Sequence, residues 1–138
     1  MKSVLKRCLI AASISFPFHA AMACNVPNSA TDSLRQKIAA QGGFPISDAQ
    51  CALLKQKHLE LFVDGDATVL NGVNVGWAVV RLGNSQGVVS DRTGISTWVN
   101  TGLASQDNAD TQFYSSLKGA VNSLDWKAAA EQVTSRAD

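Results

Sequence analysis

The most continuous apolar stretch of the chain is residues 73–82, Val-Asn-Val-Gly-Trp-Ala-Val-Val-Arg-Leu. Apolar side chains fall on both parities of this stretch, and turn-forming residues stand at both ends. Valine and tryptophan favour strands, and a strand that is apolar on both faces is typical of a sheet interior. Residues 73–82 are therefore predicted to form a central strand that needs a cover on each face.

An antiparallel four-stranded meander is predicted around this strand. Asp-Gly and Asn-Gly pairs between apolar runs are typical of tight hairpin turns, because such turns need a positive φ. These pairs stand at residues 64–65 and 71–72. A three-residue loop over 64–66 would place Val63 opposite Ala67. The predicted strands cover residues 59–63, 67–70, 73–82 and 88–99, the last one bent near Gly94.

Helical periodicity predicts two short helices before the sheet and a long one after it. Residues 31–41 form the first, and Ser47 with Gln50 has the capping-box pattern that begins the second. Apolar residues recur at three- and four-residue spacing over 109–124, which suits a helix packed on one sheet face. A short helix is expected over 126–133. The predicted fold class is α+β, with residues 24–138 as one domain.

The first 23 residues have the pattern of a cleaved signal peptide. Three basic residues precede a short apolar run over 8–16, and Ala21-Met22-Ala23 forms an A-x-A cleavage pattern before Cys24. The apolar run is shorter than the roughly 20 residues that span a bilayer. We therefore expect a periplasmic or secreted protein without a membrane span.

Charge argues against two classes of partner. The chain has 12 basic and 11 acidic residues, and the leader carries three of the basic ones. Residues 24–138 thus carry nine basic and eleven acidic groups, with no basic cluster. Nucleic acids and anionic membranes attract basic surfaces, so neither is an expected partner.

Two cysteines remain after cleavage, and an oxidising compartment favours their pairing. A Cys24–Cys51 disulfide would close a loop of about 27 residues and hold the new N-terminus. The alternative is an outer-membrane lipoprotein acylated at Cys24, since a cysteine directly after the cleavage site is typical of lipoproteins. Ala21 stands where the lipoprotein pattern usually has leucine.

Few residues suit catalysis. His58 is the one histidine of residues 24–138, and Glu60 shares its strand parity, so a small hydrolase using His58 with a carboxylate is one alternative. One histidine and two distant cysteines do not provide the three or four ligands of a zinc site. The sequence indicates no cofactor and no metal.

Recognition surfaces remain, and the leading interpretation is a non-enzymatic binding protein. Aromatic side chains on a sheet and loops on a rigid scaffold often carry binding. Trp98, Asn100 and Asp107 are the predicted binding residues, in and beside the polar segment 100–108. The expected partner is another envelope or secreted protein, which this protein would inhibit, neutralise or help to assemble. A homo-oligomer is also possible if one face of 73–82 stays uncovered.

Overall fold

The computed structural model describes residues 24–137; the predicted signal peptide lies outside this range. The fold is α+β, with four helices and a four-stranded sheet in the order β1-β2-β3-β4. In chain order the elements are β1 (Asn28–Ser29), α1 (Asp32–Ala40), α2 (Asp48–Gln56), β2 (Leu59–Leu70), β3 (Val73–Asn84), β4 (Gly94–Asn100), α3 (Gln106–Ser123) and α4 (Trp126–Ala137).

The predicted helices are confirmed, and local capping explains where they begin. Thr31 accepts the N–H of Leu34 at the start of α1, and Ser47 with Gln50 forms both bonds of a capping box at α2. Ser105 caps α3. The last helix is longer than expected, because α4 continues to Ala137 instead of ending near residue 133.

The four-stranded sheet of an α+β fold is confirmed, but the predicted meander is wrong in three respects. The last strand is Gly94–Asn100 and not residues 88–99. Residues 59–63 and 67–70 are not two strands but parts of the single strand β2, which pairs antiparallel with β3 over its whole length. Val63 therefore lies opposite Val80 rather than Ala67. The sheet is also mixed, since the two-residue strand β1 pairs parallel with β2.

Gly65 of the Asp-Gly pair lies within β2, and close packing rather than a turn accounts for the glycine. A Cβ at this position would lie 2.7 Å from Cε2 of Phe113, so the glycine makes room for α3 beneath the strand. Gly76 of β3, which lies opposite Ala67, has the backbone of Phe113 against the same side. The hairpin turn forms instead at Asn71-Gly72, as predicted, where φ is 49° and 79°.

The core lies between one face of the sheet and the helices. The even-numbered residues of β3 from Asn74 to Leu82 are buried there, and α3 packs across β3 and β4 and reaches β2. All four helices contribute apolar side chains to this core. Its largest fully buried apolar members are Phe113, Ile38, Leu54, Leu59, Leu61, Leu82 and Leu117.

Two sets of polar contacts fix the ends of β4. Before it, Gln132 of α4 accepts a hydrogen bond from the buried Ser90, and Arg136 donates to Asp91 at 2.6 Å. The guanidinium of Arg136 lowers the pKa of the Asp91 carboxyl, first through this hydrogen bond and then through its charge. After β4, the buried Asn74 of β3 holds the loop that leads into α3.

Cys24 and Cys51 form a disulfide, with 6.3 Å between their Cα atoms. The bridge joins the start of the described chain to α2, whose Cys51 is buried. Disulfides persist in oxidising compartments, and this one points to a compartment of that type. Within residues 24–137, every helix is too short or too polar to cross a bilayer.

Candidate functional site

One face of the sheet has no helix against it. The even-numbered residues of β3 from Asn74 to Leu82 are buried, whereas Val73, Val75 and Val79 are half-buried and Trp77 is 37% exposed. This alternation is that of a strand covered on one side. Residues 73–82 are apolar on both faces, but helices cover only one of them. We call the uncovered side of the sheet the open face.

The open face carries a contiguous apolar patch. The strand register places Val75 beside Val99, and Val79 beside Ile95, on β3 and β4. Ile95 and Val99 are 63% and 60% exposed, which is high for β-branched side chains. Trp77 lies between these two rows, opposite Thr97. Exposed apolar patches of this kind mark interaction sites more often than isolated exposed side chains do.

Charged residues border the patch on the β2 side. Asp64 and Asp66 are exposed, and they lie opposite Val79 and Trp77 on the open face. Arg81 of β3 stands at one end, opposite Phe62. The ring of Phe62 lies over Gly83, where a Cβ would come within 2.5 Å of it. The patch thus has an acidic border and one basic end.

A cleft of about 430 Å³ adjoins this end of the open face. The segment after β1 forms one wall, with Ser29 and Thr31, and the ring of Phe62 forms part of another. Asp64 and Arg81 bring opposite charges to its lining. A concave pocket beside a flat apolar surface can receive a single side chain of a partner.

The predicted binding residues do not lie on the open face. Trp98 has the opposite parity from Trp77, and a Cβ on Gly119 of α3 would be 3.7 Å from its indole nitrogen. It is nevertheless 52% exposed, because β4 is the edge strand. Asn100 ends this strand and accepts the N–H of Gly102, and Asp107 is exposed in the first turn of α3. A binding role for these three residues stays a prediction.

His58 and Glu60, the alternative catalytic pair, line one shallow cleft of about 340 Å³ together with Ser85. His58 is exposed, with φ at 52° in the junction between α2 and β2. Within residues 24–137, no hydrogen bond joins its ring to Glu60 or to Ser85. The structure places His58 and Glu60 in one cleft without a hydrogen bond between them, and a catalytic role for this pair stays a prediction.

The described residues bring no group of three or more potential metal ligands together. The signal that sequence reasoning missed is the parity of the open face. Asp64 and Asp66 alternate with the buried Val63 and Ala67 along β2, and this period of two would have marked the segment as a half-exposed strand. The Asp-Gly pair pointed to a turn instead.

Comparison of the chain with known protein families, with curated proteins and with solved structures finds no match.

Proposed function

We propose that this protein is an exported, non-enzymatic binding protein that holds another exported protein against its open face. The observation that carries this proposal is the uncovered apolar patch around Trp77 on a rigid sheet. Tryptophan is among the residues that contribute most to binding energy when a partner covers them. Ile95 and Val99 enlarge the surface without adding charge.

The charges of the open face indicate the chemistry of its partner. Asp64 and Asp66 would meet a surface that is apolar at its centre and basic along one side, because complementary charge fixes orientation and speeds encounter. The cleft beside Phe62 would accept a side chain from that partner, with Asp64 and Arg81 able to bond its polar end. Inhibition of a secreted protein and assistance to envelope assembly are the roles that such a surface supports.

The disulfide bears on the lipoprotein alternative. Acylation would use the sulfur of Cys24, and the same atom is bonded to Cys51 in the structure. One sulfur cannot form both bonds. We therefore favour an unanchored periplasmic or secreted protein, and the mass of the mature protein tests this choice directly.

Substitution of Trp77 tests the binding role. We expect Trp77→Ser to weaken partner binding at least about 30-fold, which corresponds to a loss of about 2 kcal/mol. Thermal stability should also fall, because Trp77 is only 37% exposed and the rest of it packs against its neighbours, so circular dichroism has to show that the variant is folded at the assay temperature. Leu103→Ser is the matched control: Leu103 is 81% exposed in the loop after β4, and we expect its loss to leave binding unchanged.

The measurement is affinity capture from an exported-protein fraction with the wild type and both variants, followed by titration of the captured protein. A stoichiometric partner that Trp77→Ser loses and Leu103→Ser keeps supports the proposal. A partner that Trp77→Ser binds as tightly as the wild type does places binding elsewhere. The absence of any partner, together with measurable hydrolysis that depends on His58, would favour the enzyme alternative.

A further inference from the structure

The two edges of the sheet differ in how their backbone groups are covered. On the β2 side, Pro27 accepts the N–H of Leu61, and the short strand β1 pairs beside it. Further along, the carboxylates of Asp64 and Asp66 accept the N–H groups of the residues that follow them, Gly65 and Ala67. Gln106 of α3 donates to the carbonyl of Ala67 at 3.0 Å. This edge is protected against another strand.

The same bonds show which residues of β4 face outward. The N–H groups of Leu61, Gly65 and Ala67 point away from β3. The backbone groups of the odd-numbered residues of β2 are therefore directed toward the outer edge of β2. Along each strand, the N–H and C=O groups of successive residues point to opposite edges. Two residues that pair across antiparallel strands both point their groups toward each other or both point them away. The N–H and C=O groups of the odd-numbered residues of β4 therefore point away from β3, toward the outer edge of the sheet. These residues are Ile95, Thr97 and Val99.

The outer edge of β4 has no comparable cover. Within residues 24–137, no turn, loop or side-chain hydrogen bond uses the N–H or C=O of these three residues. Native edges are usually protected by charge, proline or a bulge, whereas Gly94–Asn100 contains no charged residue and no proline. Six backbone groups are thus available to one more strand.

The side chains of β4 suit a second copy of the same strand. Under a two-fold axis through Thr97, Ile95 would lie opposite Val99 of the other copy, and Thr97 opposite its counterpart. The exposed β-branched side chains of Ile95 and Val99 would form two such cross-strand pairs on the open face, related by the two-fold axis. No like charges would meet. On the helix side, Trp98 would lie opposite Ser96 and lose part of its exposure.

We propose that two copies of this protein pair antiparallel through β4, with the two-fold axis at Thr97, to form one eight-stranded sheet. The three outward residues of each strand then exchange six backbone hydrogen bonds. Because the β2 edge is covered, β4 of one copy cannot continue onto β2 of the next, so the pairing closes as a dimer instead of growing into a fibre.

The proposal uses the edge of the sheet and does not depend on the proposed function of its open face. The dimer would place the two open faces side by side and double the surface that a partner could meet. A seven-residue strand spans about 24 Å, which makes a small interface. We expect a weak, reversible dimer, because interfaces at the low end of the size range are typical of transient association.

Sedimentation equilibrium from about 1 µM to about 1 mM tests the association, on the full chain expressed with its leader and purified with its disulfide intact. Thr97→Lys would place two lysines opposite each other, and we expect it to weaken the dimer at least about tenfold. Thr97→Gln, which is uncharged and also longer than threonine, should retain the dimer. Circular dichroism and the unfolding midpoint verify that both variants keep their fold.

Cross-linking tests the register. Thr97→Cys should give a covalent dimer with a short bis-maleimide, since the two positions would be about 5.5 Å apart between Cα atoms. Ile95→Cys is the control, because its counterpart would lie four residues along the other strand, about 14 Å away. A monomer at every concentration, an unchanged dimer in Thr97→Lys, or faster cross-linking at 95 than at 97 would overturn the proposal.

Discussion

Asn74 provides the sharpest test of how β4 is held in place. It is a buried amide on an apolar strand, and it bonds in two directions. Its Nδ2 donates to the carbonyl of Leu103 at 2.9 Å, and its Oδ1 accepts the N–H of Ser105 at 3.0 Å. Ser105 is also the N-cap of α3. One side chain therefore joins β3 to the loop that connects β4 with the long helix.

The cost of Asn74→Ala follows from these contacts. The N–H of Ser105 would lose its partner, at about 1–2 kcal/mol because Ser105 is only half-buried. The lost bond to Leu103 adds about 1 kcal/mol; this carbonyl keeps a second donor, Nδ2 of Asn108, at 2.7 Å. We expect unfolding to become about 2–3 kcal/mol easier, with the m-value unchanged.

Urea denaturation followed by tryptophan fluorescence measures this change. With an m-value of about 1.5 kcal/mol/M, the midpoint should fall by about 1.3–2 M. Asn108→Ala is the matched control, because it removes the other donor to the same carbonyl and leaves Ser105 bonded to Asn74. We expect it to cost about 0.5 kcal/mol. Equal losses in the two variants, or a loss below about 1 kcal/mol for Asn74→Ala, would refute the reasoning.

Two further predictions concern the ends of the domain. Replacing both Cys24 and Cys51 with serine should lower the free energy of unfolding by about 3.5 kcal/mol, since the bridge closes a loop of 27 residues in the unfolded chain; a shift in the urea midpoint below about 1 M would contradict this estimate. Asp91→Asn should destabilise slightly at pH 7, and this difference should shrink as pH falls below 3.8. The folded-state pKa of Asp91 is lowered by Arg136, so its contribution is present above the ordinary value of 3.8 and is lost as pH falls through the folded pKa. Melting curves from pH 7 to pH 2 measure the difference, and 1 M salt should reduce it because the pair is exposed. A difference that grows toward low pH would contradict the assigned role of Arg136.

Most of the helical structure could be predicted from the sequence because its determinants are local. Ser47 and Gln50 satisfy each other's backbone within one turn, and Ser105 does the same for Asn108. The Asn71-Gly72 hairpin is local in the same sense, since it needs only a positive φ at two adjacent residues. The disulfide could also be predicted, because two cysteines remain after the predicted cleavage and an exported chain reaches an oxidising compartment.

The candidate site could not be predicted in this way. The sequence favours Trp98 as the exposed tryptophan and predicts that Trp77 packs under the long helix. In the structure Trp77 lies on the open face, whereas Trp98, although 52% exposed, lies on the helix side of β4 beside Gly119. Their separation depends on which parity of β3 the long helix covers. Both parities are apolar, so the sequence pattern does not choose between them.

The sequence by itself determined the α+β class, the positions of the helices, one hairpin and the cysteine pair. The helices and the hairpin depend on residues close together in the chain, and the cysteine pair depends on how many cysteines remain after cleavage. Only the tertiary structure decided that Gly65 lies in a strand, since Phe113, far along the chain, occupies the space where its side chain would be. The same packing of α3 buries the even face of β3 and leaves the apolar patch around Trp77 open. Contacts between distant parts of the chain decide both outcomes.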